Sequence, residues 1–362
     1  MRPGTTKNGR ATLATVAAAA GVSVATVSKV LNGRSDVAPA TRGLVQDLLA
    51  EYDYVGRGAD TVRRAVPTTR PTVELVYAGV LNAYSTEVLQ GVLDAAAAQG
   101  VAVVVSIRTP GHRRSGTGRP AAWASELAAA GRRAVIAVVD DLTAGDLTAL
   151  SRARLPLVVI DPVNLPAADV VSVGSTNFAG GLAATQHLLG LGHRRIAYLG
   201  GAVTSACNQA RLGGYRAAME GAGSPIPQGF VRFGNFLHAD GLGQGATLLE
   251  MPDPPTAVFA GSDETAVGVV EAARARGLRV PEDLSVVGFD DTQIARLSSP
   301  ALTTVRQPLQ EMGKVALRTA IRLAADGEVD SHHVELATQL VVRRSTAPAP
   351  PGRSDGSEPS VP

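Results

Sequence analysis

Seven aliphatic runs constrain this chain more than anything else in it: VELVYAGV, VAVVVSI, AVIAVV, LPLVVID, RIAYLGG, TAVFAG and LSVVGFD, spread between Val73 and Asp290. Helix-like stretches rich in Ala and Leu separate them. Strands buried on both faces read as continuous apolar runs, and strand–helix alternation implies parallel strands joined by crossover helices. The expectation is an α/β body, built as two smaller lobes or as one large sheet. With 362 residues, of which 45% are apolar, the chain is long enough for two or three units with real cores. No run of 18 or more uncharged apolar residues occurs, so no membrane span is expected. A single cysteine, Cys207, excludes an internal disulfide and fits a reducing cytoplasm.

The N-terminal part follows a different pattern. Leu13, Val16 and Ala17 have the i, i+3, i+4 spacing of a helix, Gly21 interrupts it, and Ser23 can cap a second helix over 24–31. NGRSDVA leads to Pro39 at the start of a third, with Leu44, Val45, Leu48 and Leu49 as its apolar stripe. On a helical wheel Val24, Val27, Val30 and Leu31 share one face. Ala25, Thr26, Ser28, Lys29 and Asn32 occupy the rest. Small side chains allow close approach to another surface, hydroxyls and an amide suit phosphate oxygens, and lysine can donate to a phosphate or a guanine edge. Two helices joined by a glycine turn form a helix-turn-helix; the plain alternative is a small solvated helical hairpin.

Charge is unevenly divided. Residues 1–71 hold ten Lys/Arg against five Asp/Glu, whereas the whole chain has a net charge of +2. A basic head on a mildly acidic body suits a polyanionic partner.

The stretch ATLATVAAAAGVSVATVSKVLNGRSDVAPATRGLVQDLLAEYDY resembles the DNA-binding head of the lactose-repressor (LacI/GalR) family almost continuously. By position, the resemblance implies Val24, Ala25 and Lys29 as base-reading residues. It implies Thr12, Ser23, Thr26, Ser28 and Asn32 as phosphate contacts, with Thr41 near the DNA backbone. Lys29 departs from the more frequent arginine, and with it from bidentate guanine readout. The hinge departs further: Gly56 stands in place of the proline, and Arg63 in place of the leucine that family members wedge into the minor groove. Arg57, Arg63 and Arg64 are then either electrostatic trackers of a narrow groove or part of a basic linker.

GHRRIAYLGG, ARLGGYRAAME, PTAVFAGSDETAVGVVEAARARGLRVPEDLSVVGFDD and SPALTTVRQPLQEMGKVA are similar to the family's effector domains, which share the periplasmic sugar-binding-protein fold. In such two-lobed sheets a ligand lies at the C-terminal strand ends. The resemblance implies Asp161, Arg211, Ser262 and Asp290 as effector contacts and Cys207 as a small polar one. Tyr84, Phe178 and Phe236 offer apolar faces to a sugar ring. Each also has a plainer reading, as a loop cap, a surface charge or a core aromatic.

The expected organisation is a disordered 1–10, a helix-turn-helix head over 11–55, a hinge over 56–71, a two-lobed periplasmic-binding-protein-like effector and dimerisation domain over 72–345, and a disordered tail over 346–362. No GxGxxG, GxxxxGK[ST] or GxSxG pattern occurs, and His332-His333 lacks partners at metal spacing. No catalytic residue, metal or cofactor is therefore assigned. The expected protein is a cytoplasmic homodimeric repressor of carbohydrate-utilisation genes, with double-stranded pseudo-palindromic operator DNA and a small sugar effector as partners. A non-sugar effector, a transport sugar-binding protein and an enzyme are the competing readings.

Overall fold

The computed structural model describes residues 12–31, 34, 37–52, 70–79, 81–108, 120–139, 142–163 and 169–350. The chain divides into two compact units between Arg70 and Pro71. The expected contacts Asn32, Arg57 and Arg63, and most of the expected hinge, lie outside the described residues.

Among the described residues the first unit contains three helices: α1 (Leu13–Ala20), α2 (Val24–Leu31) and α3 (Pro39–Glu51). Thr12 starts α1 by a reciprocal capping box with Thr15, and Gly21 ends it in the left-handed region at φ 65°. The chain then turns by 101° into α2. Ser23 Oγ accepts the Thr26 N–H at 3.1 Å and so caps that helix. Val16, Ala17, Val27, Val30 and Val45 form the core. Two apolar positions differ from expectation. Val24 is 46% exposed and Leu44 49% exposed. Val24 continues the i, i+3 series of α2, but it is the first residue of the helix and lies one turn before the packed contact. It belongs to the exposed surface, not to the core stripe.

The second unit contains two lobes. The first is built from β1 (Thr72–Ala78), α4 (Ala83–Gln99), β2 (Ala102–Arg108), α5 (Pro120–Ala129), β3 (Arg132–Val138), α6 (Ala144–Arg152), β4 (Leu157–Ile160) and β5 (Val171–Ser175). The second follows with α7 (Asn177–Gly190), β6 (Ile196–Gly200), α8 (Ala206–Gly221), β7 (Val231–Phe233), α9 (His238–Leu249), β8 (Ala257–Ala260), α10 (Asp263–Arg274), β9 (Ser285–Asp290), α11 (Gln293–Leu297) and β10 (Thr303–Arg306). The chain then returns to the first lobe for α12 (Leu309–Ala324) and β11 (His333–Leu336), and comes back for β12 (Gln339–Val341).

The sheet orders are β11-β5-β4-β3-β1-β2 and β12-β10-β9-β8-β6-β7. All pairings are parallel except β12 with β10. Of the two readings left open by the strand runs, the structure selects two lobes. It adds five strands that the aliphatic pattern did not reveal: β5, β7, β10, β11 and β12. They are short, and VSVGS, TTVR and HVEL carry polar residues among the apolar ones.

Helices cover both faces of each sheet. Val88 and Val92 of α4 and Met312 and Leu317 of α12 pack on one face of the first sheet, while Ala124, Leu127 and Leu150 cover the other. In the second lobe, α10 supplies Ala266 and Val269 to one face, and α7 and α8 supply Leu188, Leu212 and Tyr215 to the other. Helices α7 and α8 meet so closely that a Cβ on Gly181 would fall 2.3 Å from the backbone oxygen of Arg211.

The first residues of the expected tail, 346–349, make defined contacts. Ala347 N–H donates to Ser285 Oγ at 3.0 Å, Ala347 O lies 3.0 Å from His193 Nε2, and Ala349 N–H donates to Leu191 O at 2.8 Å. These backbone bonds hold residues 346–349 on the second lobe despite their Pro/Ala composition. Residues 351–362 lie outside the described residues. Among the described residues no single helix is long and apolar enough to cross a membrane.

Candidate functional site

In the three-helix unit, the outer surface of α2 presents Val24, Ala25 and Lys29 as exposed residues, with Thr26 and Ser28 half-buried. Thr12 and Ser23 sit at the starts of α1 and α2, where their hydroxyls are already engaged in caps. Thr41, in the first turn of α3, is half-buried. Helix N-termini present backbone N–H groups and the positive end of the helix dipole, so two such starts beside small residues suit a phosphate backbone.

In the two-lobed unit, a cavity of about 260 Å³ lies between the lobes, at the C-terminal ends of β1, β3, β4, β8 and β9. Seven of the eight expected effector contacts line it: Tyr84, Asp161, Cys207, Arg211, Phe236, Ser262 and Asp290. Phe178 does not. It sits in the first turn of α7, 49% exposed, where its ring faces Gly213 of α8. The first turn of α7 aims it along the neighbouring helix, away from the cleft.

Arg211 is held from three sides. Its Nε donates to Asn177 Oδ1 at 2.8 Å and its Nη1 to the carbonyl of Gly261 at 2.6 Å. Its guanidinium carbon lies 3.9 Å from the Phe289 ring centroid and 5.2 Å from that of Phe236. Asp290 Oδ1 is 3.9 Å from Nη1, an ion pair without a direct hydrogen bond. Asp290 instead accepts from Gln307 Nε2 at 2.6 Å. Across the cleft, the Tyr84 hydroxyl donates to Asp161 Oδ2 at 2.6 Å.

Burial dominates the acid–base behaviour. It raises the Asp161 carboxyl, against the lowering effect of the Tyr84 hydrogen bond and of Arg211. It raises Asp290 well above the carboxylate range, against Arg211. It lifts the Cys207 thiol and, with Asp161, the Tyr84 phenol, keeping both neutral. Asp263, at the start of α10, is pushed up to about 7 by burial and accepts from Thr292 and Thr304.

The backbone is strained around the same cavity. Val139 (φ 49°), Asp161 (φ 45°), Phe236 (φ 64°) and Asp290 (φ 116°) are non-glycine residues in the left-handed half of the map, and all four line the cleft. Such conformations persist where surrounding structure over-determines them, and they concentrate at ligand sites. Gly201 has a related reason to be glycine, since a Cβ there would lie 2.2 Å from the Phe236 ring. Gly201 thus makes room for that aromatic face, as does Gly261, where a Cβ would lie 2.6 Å from the same ring.

Comparisons with known proteins agree with this arrangement. Residues 12–56 match the family described as bacterial regulatory proteins, lacI family, and residues 185–346 match the periplasmic binding protein-like domain. The chain is 34% identical over 341 residues to the HTH-type transcriptional regulator CelR of Thermobifida fusca, covering 93% of this chain and 98% of that protein. The chain belongs to the LacI family of bacterial regulatory proteins. The HTH-type transcriptional regulator DegA of Bacillus subtilis (strain 168) is another relative, 31% identical across 94% of this chain and 99% of DegA. Among solved structures, a CelR–cellobiose complex superposes with a TM-score of 0.69 at 32% identity, covering 93% of this chain and 100% of that one. A lac repressor dimer bound to operator and the anti-inducer ONPF gives 0.70 at 26% identity, covering 94% and 100%. This LacI-family chain is accordingly a DNA-binding transcriptional regulator, and α1 and α2 lie within its matched helix-turn-helix region.

Several cleft residues of this LacI-family chain were not visible in the sequence. Asn82, Asn235, Asp263 and Glu264 also line the cavity, and Asn177 and Gln307 orient Arg211 and Asp290 from behind. Asn177 and Gln307 follow the short strands β5 and β10, which carry no aliphatic run to mark their ends. Ser262 lines the cavity, but its hydroxyl caps α10 through the Thr265 N–H at 3.1 Å and lies 2.7 Å from Phe236 O. The hydroxyl thereby also holds the Phe236 loop.

Proposed function

We propose that this protein is a homodimeric, cytoplasmic repressor whose operator affinity is set by an uncharged carbohydrate bound between the lobes. In this reading residues 11–55 bind DNA, 56–71 serve as the hinge and 72–345 bind effector and dimerise. The observation that carries it is the cleft's donor set. Among the described residues lining it, Arg211 is the one cation facing Asp161, Asp263, Glu264 and Asp290. Adjacent carboxylates accept pairs of vicinal hydroxyls, Arg211 donates to ring or hydroxyl oxygens, and the Tyr84 and Phe236 faces suit the apolar side of a pyranose. A phosphosugar or organic acid would find a single cation there, Arg211, already engaged by Asn177 and Gly261. The likeness to a CelR–cellobiose complex supports a β-linked glucose disaccharide as the first compound to try. No step of bond-making is assigned to the cleft, which takes the ligand as a signal.

The test has two arms. Thermal-shift screening of the full-length protein should give stabilisation by one or a few neutral mono- or disaccharides, cellobiose among them, and none by phosphosugars. Operator sites selected from random DNA should be pseudo-palindromic, and anisotropy titrations on them should show salt-dependent affinity that the stabilising sugar alters. Stabilisation only by nucleobases or anions would overturn the sugar assignment; selection of no preferred sequence would overturn the regulator.

A further inference from the structure

We propose that Gln307 is the positioning residue that ties the effector cleft to the strands joining the lobes; the inference rests on the reading of the cleft as the effector site. The chain passes between the lobes at 175–177, 306–309 and 336–339. Five buried polar residues, joined through their side chains and the Ser175 carbonyl, form a closed circuit that includes the first two passages and the two central cleft residues. Arg211 Nε donates to Asn177 Oδ1 at 2.8 Å, and Asn177 Nδ2 donates to Ser175 O at 3.0 Å. Ser175 Oγ donates to Gln307 Oε1 at 2.5 Å, and Gln307 Nε2 donates to Asp290 Oδ1 at 2.6 Å. Asp290 returns to Arg211 as the 3.9 Å ion pair.

Gln307 is 3% exposed and does not itself line the cleft. Its amide uses both ends at once, donating towards the ligand side and accepting from the crossover. An amide is suited to that position: a glutamate would set a second carboxylate against Asp290, and a leucine would leave both neighbours unpaired. The third passage joins through Thr338, whose N–H donates to Thr176 Oγ1 at 2.9 Å, while Thr176 N–H donates to Leu336 O at 3.0 Å.

The circuit has little freedom to yield gradually. Each buried bond is either kept, in which case its partners move together, or lost with the desolvation penalty of the groups left behind. Asp290 is held at φ 116°, so a ligand that draws its carboxylate acts on a backbone already strained. A change at Asp290 therefore reaches Ser175 through one side chain, and from there Thr176 and the third passage. The effector signal enters the lobe-joining strands at Gln307.

Hydrogen-exchange mass spectrometry on the full-length protein, with no sugar added, tests this. Peptides covering 171–180 and 303–312 are followed in wild type, Gln307→Leu, Ser175→Ala, Asp290→Ala, Asp290→Asn and the Gln307→Leu/Asp290→Ala pair. Gln307→Leu, Ser175→Ala and Asp290→Ala should each speed exchange in both peptides by roughly tenfold, leaving the central strands of the two sheets unchanged. Asp290→Asn, whose carbonyl can still accept from Gln307, should stay near wild type. The pair should exchange no faster than Gln307→Leu alone, because both changes break one linkage. Acceleration confined to 303–312, or additive effects in the pair, overturns the proposal. If Gln307→Leu does not fold, Ser175→Ala against Asp290→Ala makes the same comparison. A cleft that takes no carbohydrate would be exposed by the thermal-shift screen, separately from this result.

Discussion

Glu264 in the second lobe accepts the backbone N–H of Ala83 in the first at 3.0 Å. The donor is the first residue of α4, whose leading N–H groups lack partners within the helix. The acceptor lies in the first turn of α10, so one carboxylate serves two helix N-termini on opposite sides of the cleft. Glu264→Ala should therefore favour the open cleft and weaken sugar binding by about 3- to 10-fold. Glu264→Gln, which keeps an acceptor oxygen, should stay closer to wild type. Calorimetric titration with the most stabilising sugar of the screen decides it, and equal affinity in the Ala variant would remove Glu264 from the closing contact.

Asp290→Ala should abolish the sugar-induced thermal shift while operator binding without sugar persists. Arg211→Lys should also weaken the sugar, by about tenfold or more, since an ammonium cannot serve Asn177 and Gly261 together or lie flat on Phe289. A normal response to sugar in Asp290→Ala would show that the ligand lies elsewhere.

Lys29 is exposed on α2. Lys29→Ala should reduce affinity for the selected operator far more than for random DNA, by about 1–3 kcal/mol in the specific complex. Equal losses on both DNAs, read by anisotropy at a fixed salt concentration, would make it a phosphate contact.

Gly181→Ala places a Cβ 2.3 Å from the backbone oxygen of Arg211, so α7 and α8 must separate. The expected cost is about 1–3 kcal/mol of stability, measured by urea unfolding. Sugar affinity should fall as well, because α8 carries Arg211. Unchanged stability would mean that the two helices tolerate a looser crossing.

Burial holds the Asp263 carboxyl at about 7, against an ordinary value of 3.8. Between those values the folded state keeps a proton that the unfolded chain has released. The group's contribution to stability therefore falls as pH rises through that window and levels off above it. Asp263→Asn removes this dependence. Its urea midpoint relative to wild type should improve between about pH 5 and about pH 7.5. A constant difference would mean that Asp263 does not titrate there.

The strand runs and the head motif were legible because each depends on residues close in sequence. A buried parallel strand needs an uninterrupted aliphatic run, and LVVI, VFA and VVGF announced both themselves and the cleft residues after them. Asp161, Ser262 and Asp290 could be named from position in this way, and Arg211 from the family resemblance. Phe178 could not be placed, because the first turn of α7 decides whether its ring meets the cleft or Gly213. Val24 was read both as core and as contact, and only the packing of three helices left it exposed.

By itself, then, the sequence determined the two kinds of unit, the parallel strands and most of the cleft's donors, since these follow from local hydrophobic pattern and from motifs. Tertiary structure decided how the donors are held. The bonds of Gln307 to Asp290 and Ser175 join residues 17 and 132 positions apart, and that of Glu264 to Ala83 joins residues 181 apart. No local periodicity records such pairs, because they exist only once the chain has passed three times between two lobes.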